Sequence, residues 1–251
     1  MTGTDDLGTS VPVVRPARRV VSLVPSLTEA LAATRPDALV GATDWCTHPA
    51  NLEVTRLRGT KNPDRAAIEA LRPDLVVANQ EENRELDVRR LREAGVPVWV
   101  TDVRTVDQAF ASMRRLLDEA LGWGVPAWLE QAEQAWSAPP PPNGPRVVVP
   151  IWRDPWMAVG SDTFTGDVLR RLGATHVLAD AEGRYPHVEL DDLDRDGVDL
   201  VLLPDEPYVF TADDGPEAFT HVPTRLVSGR LLTWYGPSLV HARDELAAAL
   251  R

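Results

Sequence analysis

The sequence predicts an α/β fold with two Rossmann-like lobes, mainly parallel sheets, a single connecting helix and a ligand cleft between the lobes. Short apolar, β-branched segments alternate with helical patterns, which is typical of parallel sheets. This alternation occurs twice along the 251 residues, on either side of the proline-rich segment Pro139–Pro145. A chain of this length is able to bury a core in each lobe.

The first lobe is predicted over residues 19–125, after a disordered N-terminal tail of residues 1–18. Its strands are predicted at 19–24, 39–42, 75–78 and 96–101. Its helices are predicted at 26–34, 64–71, 83–94 and 106–121. Ser26 and Glu29 have the spacing of a capping box, so the first helix is expected to begin directly after the first strand.

A connecting helix and a proline-rich strap are predicted over residues 126–145, and the second lobe over residues 146–251. Four consecutive prolines favour a stiff connection. The strands of the second lobe are predicted at 146–152, 157–160, 198–203 and 224–227. Its helices or turns are predicted at 163–172, 190–195, 216–220 and 237–250. Ligands of open α/β sheets bind at the carboxyl ends of the strands, so the loops there form the candidate site.

Composition excludes several classes of partner. The net charge of −12 argues against nucleic acid or an anionic membrane surface, because both attract basic proteins. No segment approaches the roughly 18 apolar residues of a membrane span, so no membrane insertion is predicted. The first ten residues lack the basic and apolar regions of a signal peptide. A cytoplasmic monomer is therefore predicted, or an extracytoplasmic protein if the start codon is mis-called.

Four tryptophans stand in short polar segments that follow β-like runs. An indole in a loop exposes apolar area to water unless its ring packs against another group. Aromatic rings with polar edges suit flat, partly apolar ligands. Each of these rings is equally able to plug the end of a sheet. Because three separate segments share the pattern, a binding cleft is favoured. The four are Trp45, Trp152, Trp156 and Trp234.

Two polar loops follow predicted strands, one in each lobe. Their carboxylates are able to accept hydrogen bonds from ligand amides or hold a cation, or simply to stabilise a helix N-terminus. No spacing fixes a carboxylate pair for acid–base chemistry, so no catalytic residue is assigned and no enzyme is predicted. The first loop supplies Glu81, Glu82, Asn83 and Arg84, and the second supplies Asp205, Glu206 and Tyr208.

Several single residues complete the predicted ligand contacts: Ser26, Thr47, Arg153 and Tyr235. Cys46 and His48 lie two residues apart, which leaves loop hydrogen bonding, a metal or ligand contact and a nucleophile pair open. The single cysteine excludes an internal disulfide. No P-loop, dinucleotide fingerprint or nucleophile elbow is present.

A set of loose motifs recurs in order along the chain from Arg19 onward. In the first lobe they occupy residues 19–29, 41–49, 59–63 and 71–77, and in the second residues 152–156, 160–164, 168–173 and 198–203. Together they resemble the helical-backbone (class III) periplasmic binding proteins of the cobalamin and iron-siderophore type, which deliver ligand to ABC importers.

The resemblance implies a rigid two-lobed binder in which loop aromatics cover a corrinoid, haem or siderophore. Members that bind a bare metal would point to His48, Glu81 and Glu206 as its ligands. An acidic residue near the start of a helix in each lobe docks on the importer in this family, and the aligned positions here are Ala66 and Asp191.

The predicted function is binding of a small molecule: a corrinoid, a metal chelate such as a ferric siderophore or haem, or a divalent metal ion. No cofactor is required. Two alternatives stand beside it: a substrate-binding subunit of an ABC importer with a mis-called start, and an enzyme acting on a metal cofactor. The sequence does not identify the ligand.

Overall fold

The computed structural model describes all residues from Met1 to Arg251. They form two compact units. Unit 1 comprises residues 1–103, 108–130 and 235–237, and unit 2 comprises residues 104–107, 131–234 and 238–251. No helix is both long and apolar enough to cross a membrane.

Unit 1 contains nine strands and the first helices. The strands are β1 (Thr2–Thr4), β2 (Ser10–Pro12), β3 (Val20–Ser22), β4 (Leu39–Ala42), β5 (Thr55–Arg56), β6 (Arg58–Gly59), β7 (Asn62–Pro63), β8 (Leu75–Asn79) and β9 (Val98–Thr101). The helical segments are α1 (Pro25–Thr34), a 3-10 turn (Pro36–Ala38), α2 (Arg65–Ala70), α3 (Glu85–Glu93), most of α4 (Val106–Arg114) and a π-helical segment (Arg115–Ala120).

A parallel five-stranded sheet with the order β5-β4-β3-β8-β9 forms the centre of unit 1. All five residues of β8 are buried, because helices cover both faces of a parallel sheet and leave no solvent face for polar alternation. Apolar side chains from strands and helices form the core, among them Val21, Ile68, Val76 and Leu91. The parallel sheet predicted for this part of the chain is confirmed.

The start of α1 differs from its prediction. Pro25 occupies the first turn, Val24 is the N-cap, and no side chain caps the helix. Proline suits this position because its fixed φ is helical and its missing N–H has no partner there in any case. Ser26 lies buried inside the first turn, so the predicted capping box of Ser26 and Glu29 was wrong.

Residues 1–18 are built into unit 1 rather than forming the predicted disordered tail. β1 and β2 pair as an antiparallel hairpin, and Val11 and Val13 are buried. In its turn, Asp5 accepts hydrogen bonds from the Leu7 and Thr9 backbone N–H groups at 3.1 and 2.8 Å. Its other oxygen pairs with Arg92 Nη2 at 2.7 Å. The apolar valines and this buried carboxylate together order the segment.

Unit 2 contains the remaining strands and helices. The strands are β10 (Arg146–Val148), β11 (Pro150–Trp152), β12 (Met157–Ala158), β13 (Thr175–His176), β14 (Leu200–Pro204) and β15 (Thr224–Val227). The helices are α5 (Ala127–Ala135, in part), α6 (Phe164–Arg171), α7 (Leu190–Leu193), α8 (Gly229–Thr233) and α9 (Leu239–Ala249), with a 3-10 turn (Pro216–Ala218).

The sheet of unit 2 is again parallel, with the order β13-β10-β14-β15. β14 is buried along its whole length and packs in a core with Val148, Ala158 and Phe210. β11 and β12 form a separate antiparallel hairpin at the end of β10. β11 ends with Trp152, and Trp156 is the last residue of the turn that leads into β12.

The boundaries of the units differ from those predicted at residues 125 and 146. Both α4 and α5 are divided between the units, at residues 107/108 and 130/131, and residues 235–237 return to unit 1. A local hydrophobic pattern marks helices but does not show which core each turn of a helix joins.

We predict that Asp5→Ala lowers the free energy of unfolding by about 3 kcal/mol, because it removes a buried carboxylate and leaves its donors without a partner. Urea unfolding followed by circular dichroism measures this. Glu53→Ala, at an exposed acidic residue of the same unit, is the control and is expected to change little. Equal stability of the two variants would contradict a structural role for the hairpin turn.

A second prediction concerns the start of the unit 2 sheet, where Asp199 accepts hydrogen bonds from Arg146 N, Nε and Nη2 at 2.7, 3.0 and 2.6 Å. These contacts lower the pKa of Asp199 to about 2. Their stabilisation is therefore complete above the ordinary carboxyl pKa and is lost as the pH falls towards 2.

Asp199→Asn should accordingly lower the melting temperature at pH 7, and the difference from the wild type should shrink between about pH 4 and pH 2. Melting curves at pH 7, 4 and 2.5 measure it. A difference that does not change with pH would show that the charge of Asp199 adds nothing.

Candidate functional site

In unit 1, the loop after β4 turns around Cys46. The Cys46 side chain is fully buried, and its Sγ lies 2.9 Å from Thr28 Oγ1 and 3.1 Å from Thr43 Oγ1. Arg56 Nη1 holds the same turn by donating to the carbonyls of Thr43 and Cys46. Burial raises the pKa of the Cys46 thiol, which disfavours the nucleophilic thiolate. Of the alternatives left open by the sequence, this geometry supports loop packing.

With Cys46 directed inward, its neighbours lie outside. The Trp45 side chain is 67% exposed, the largest fraction of any tryptophan in the chain. Thr47 is also exposed, and its Oγ1 lies 3.2 Å from Nδ1 of the half-buried His48. The loop therefore presents one indole and a hydroxyl–imidazole pair on the surface of unit 1.

The polar loop after β8 is held by its own asparagines. Asn79 Oδ1 accepts from the backbone N–H groups of Glu81 and Glu82 at 2.9 and 3.3 Å. Asn83 Oδ1 accepts from Asn79 N at 2.8 Å, and its Nδ2 donates to the carbonyls of Leu23 and Thr60. Both polar atoms of the Asn83 side chain are therefore occupied by hydrogen bonds to the backbone of unit 1.

Other predicted contacts of unit 1 differ in their accessibility. Arg84 is exposed at the start of α3, and the side chains of Glu81 and Glu82 are half-buried. Ser26 and Tyr235 are both buried, at 2% and 6% exposure. Burial, with the charge of Glu82 adding to it, raises the pKa of the Tyr235 phenol far above its ordinary value.

In unit 2, five aromatic side chains form one connected group, which we call the aromatic surface: Trp152, Trp156, Tyr208, Phe210 and Phe219. Trp152 meets Tyr208 edge to face, with ring centroids 5.5 Å apart. Trp156 stacks on Phe210 at 6.1 Å, and its edge contacts Phe219 at 5.6 Å. Phe210 is buried, Trp156, Tyr208 and Phe219 are partly buried, and Trp152 is 45% exposed, so the group extends from the core to an accessible ring.

Glycine is required at one point beneath this surface. Gly215 has a φ of +123°, and a Cβ there would lie 2.6 Å from Phe210 Cδ1. Any other residue would therefore strain the backbone and displace the ring. The turn around Gly215 also carries Asp214 and Glu217, which both accept hydrogen bonds from Arg153.

Arg153 lies at the border of the aromatic surface among carboxylates. Its Nη1 donates to Glu217 Oε1 at 2.6 Å and to Asp214 Oδ1, and its Nε lies 3.7 Å from Asp154. The guanidinium also lies 5.4 Å from the ring centroid of Trp156. Tyr208 completes the arrangement by donating its O–H to Asp214 Oδ2 at 2.7 Å.

These contacts fix the charge states at the border. The hydrogen bond from Arg153 lowers the pKa of Glu217, and the same carboxylates raise the pKa of Arg153. The bond to Asp214 raises the pKa of Tyr208, so its hydroxyl stays protonated at neutral pH. One guanidinium and several carboxylates are therefore charged together beside the rings.

The loop after β14 has a mainly structural role. Asp205 Oδ1 accepts from Gly229 N at 2.6 Å, at the start of α8. A Cβ on Gly229 would lie 2.4 Å from Glu206 Cγ, so the loop and helix approach as closely as glycine permits. Burial raises the pKa of Glu206. Trp234 is 7% exposed, so it offers no open face as a stacking platform.

The metal set His48, Glu81 and Glu206 receives no support from the structure. No group of three or more His, Cys, Asp or Glu side chains is placed to hold a metal ion. Asp205, next to Glu206 in the loop after β14, instead accepts a hydrogen bond from the backbone N–H of Gly229.

Sequence reasoning missed several residues that shape these surfaces: Thr28, Thr43, Phe210, Asp214, Gly215, Glu217 and Phe219. The alternation of Tyr208 and Phe210 is the one local signal that pointed to a ring pair. Thr28, Asp214 and Glu217 act through contacts 18 to 64 residues apart in sequence, which no short motif displays.

Comparison with known proteins finds similarity to binding proteins. No family model matches it. The chain is 24% identical over 205 residues to the Vitamin B12-binding protein of Vibrio cholerae serotype O1, covering 79% of this chain and 71% of that protein. It is 22% identical over 249 residues to the Vitamin B12-binding protein of Pectobacterium carotovorum, covering 93% and 88% of the two chains.

Solved structures give the same result for the fold. The periplasmic heme-binding protein RhuT from Roseiflexus sp. RS-1 matches with a TM-score of 0.79 at 19% identity, over 93% of this chain and 98% of that one. The periplasmic vitamin B12 binding protein BtuF of Vibrio cholerae matches with a TM-score of 0.72 at 18% identity, over 94% and 97%.

The cytoplasmic location predicted from the sequence was wrong. Three solved structures that match over more than nine-tenths of the chain are named as periplasmic proteins, which contradicts the prediction. The absence of an apolar segment in the first ten residues was an insufficient basis for that prediction.

The same comparisons confirm the predicted resemblance and the predicted α/β fold with parallel sheets. The relatives are binding proteins, in agreement with the predicted class of function. The chain therefore has the fold of the periplasmic haem- and vitamin B12-binding proteins, and its relatives by sequence are vitamin B12-binding proteins.

Proposed function

We propose that this protein binds a corrinoid or a haem-type metal chelate, and that the aromatic surface of unit 2 is one of its ligand contacts. The observation that carries this is the exposed ring of Trp152, which contacts the half-buried Tyr208 in a group of rings packed around the buried Phe210. A half-exposed indole leaves apolar area in water, and a flat ligand removes that area.

The rings behind Trp152 support the proposal because they hold it in place. Tyr208 contacts it edge to face and is itself fixed by the hydrogen bond to Asp214. Trp156, Phe210 and Phe219 pack beneath in one connected group. A surface ordered in advance loses little conformational entropy on binding, which favours affinity.

Trp45 is a second proposed contact, on unit 1. Its neighbour Cys46 is anchored by two threonines, so the turn that presents the indole is also fixed. Trp234 and Tyr235, by contrast, are buried in this structure. They present much less surface to a stacked ligand than Trp45 and Trp152 do.

We further propose a role as the substrate-binding subunit of an ABC importer, in place of an enzyme. The relatives are binding proteins, and Asp191 is exposed in the first turn of α7, at the position that the resemblance gives to a docking acid. The corresponding position of unit 1, Ala66, carries no charge.

Titration with cyanocobalamin and with haemin, followed by isothermal calorimetry, tests the ligand proposal. We predict that Trp152→Ala weakens the affinity for whichever macrocycle binds by about tenfold, or roughly 1.4 kcal/mol. Trp45→Ala, measured separately, is expected to weaken it as well.

Leu226→Ala is the matched control, because Leu226 is 43% exposed in the same unit but belongs to β15, outside the aromatic surface. It should change the affinity by less than about twofold. If Trp152→Ala binds as tightly as Leu226→Ala, the aromatic surface is not a ligand contact. If the wild type binds neither macrocycle, the proposed function is wrong.

A further inference from the structure

The charge around Arg153 bears on which macrocycle the aromatic surface accepts. An arginine beside stacking rings ordinarily suits an anionic ligand, because its planar guanidinium pairs with carboxylates. Here Arg153 already pairs with Asp214 and Glu217 of its own chain, and Asp154 lies beside its Nε. One positive and three negative charges leave a net charge of minus two at this border.

We propose that this cluster, formed by Arg153, Asp154, Asp214 and Glu217, selects against anionic ligands and in favour of neutral or cationic corrinoids. The inference rests on the proposed function and adds to it the charge class of the ligand. Asp214 and Glu217 are the specificity-determining residues, because they pair with the guanidinium that would otherwise attract an anionic ligand.

The geometry places the cluster within reach of a ligand on the rings. The guanidinium of Arg153 lies 5.4 Å from the centroid of Trp156, and Tyr208, the neighbour of Trp152, donates directly to Asp214. A ligand stacked on Trp152 would therefore lie one ring away from these carboxylates. The side chains of Asp154 and Glu217 are 87% and 50% exposed, so their charges face solvent rather than the core.

Two further features disfavour the binding of an anionic group by this cluster. The bond from Arg153 lowers the pKa of Glu217, so this carboxylate stays ionised at neutral pH. Glu217 Oε2 also accepts from Gly215 N at 2.5 Å, which ties it to the turn beneath Phe210. Releasing Arg153 would therefore disturb the support of the rings as well as the ion pairs.

The candidate macrocycles differ in net charge. Cyanocobalamin carries no net charge, since its phosphate is balanced by the cobalt centre and its side chains are amides. Haem carries two propionates, which are ionised at neutral pH. Hydrolysis of one peripheral amide of cyanocobalamin gives a monocarboxylate with the same ring and one added negative charge.

The test compares cyanocobalamin, its monocarboxylate and haemin on three full-length proteins by calorimetric titration. The wild type should bind cyanocobalamin about tenfold more tightly than the monocarboxylate, and haemin more weakly than cyanocobalamin. In the double variant Asp214→Asn and Glu217→Gln, Arg153 is released, and this preference should fall to within about twofold. The preference of the wild type should also shrink at 0.5 M salt, because screening weakens charge effects.

The matched control is Asp244→Asn with Glu245→Gln, two exposed acids of α9 in the same unit. It removes the same two charges and should keep the preference of the wild type. Equal binding of the two corrinoids by the wild type, or an equal preference in both double variants, would overturn the charge selection while leaving corrinoid binding intact. Tighter binding of haemin than of cyanocobalamin by the wild type would also overturn it. If the wild type binds none of the three compounds, the proposed function itself is wrong.

Discussion

The backbone at the carboxyl ends of buried parallel strands must find hydrogen-bond partners, and this constraint shapes both units. β8 and β14 are buried along their whole length, so an unpaired N–H group beside their ends is unfavourable. Asn79, the last residue of β8, accepts from the N–H groups of Glu81 and Glu82 in unit 1. Asp205, the first residue after β14, accepts from the N–H of Gly229 at the start of α8 in unit 2.

Anchoring of this kind explains why some predicted contacts turn inward and others remain outside. Cys46 is held by Thr28 and Thr43, and its neighbour Trp45 is consequently exposed. In unit 2, buried Phe210 supports the rings that lie closer to the solvent. In both units, inward-facing residues pack the loop and hold it in place. The same residues leave the neighbouring aromatic side chains exposed.

Electrostatics adds a second level of selection to this arrangement. Ring stacking alone does not distinguish a corrinoid from haem, because both present a flat macrocycle. In the proposed site the carboxylates around Arg153 distinguish them by charge, and one of these, Glu217, also holds the Gly215 turn. Structural support and ligand preference are thus carried by the same side chains, and a variant at Glu217 is expected to alter both.

The sequence by itself determined the fold class, most strand positions, the location of the polar loops and the family resemblance. These depend on local hydrophobic pattern and short motifs, which residues near one another express. Tertiary structure alone decided that Trp234 and Tyr235 are buried, that residues 2–12 form a hairpin, and that Asp214 and Glu217 pair with Arg153. Those two acids lie 61 and 64 residues from Arg153 along the chain, and only the folding of unit 2 brings them into contact.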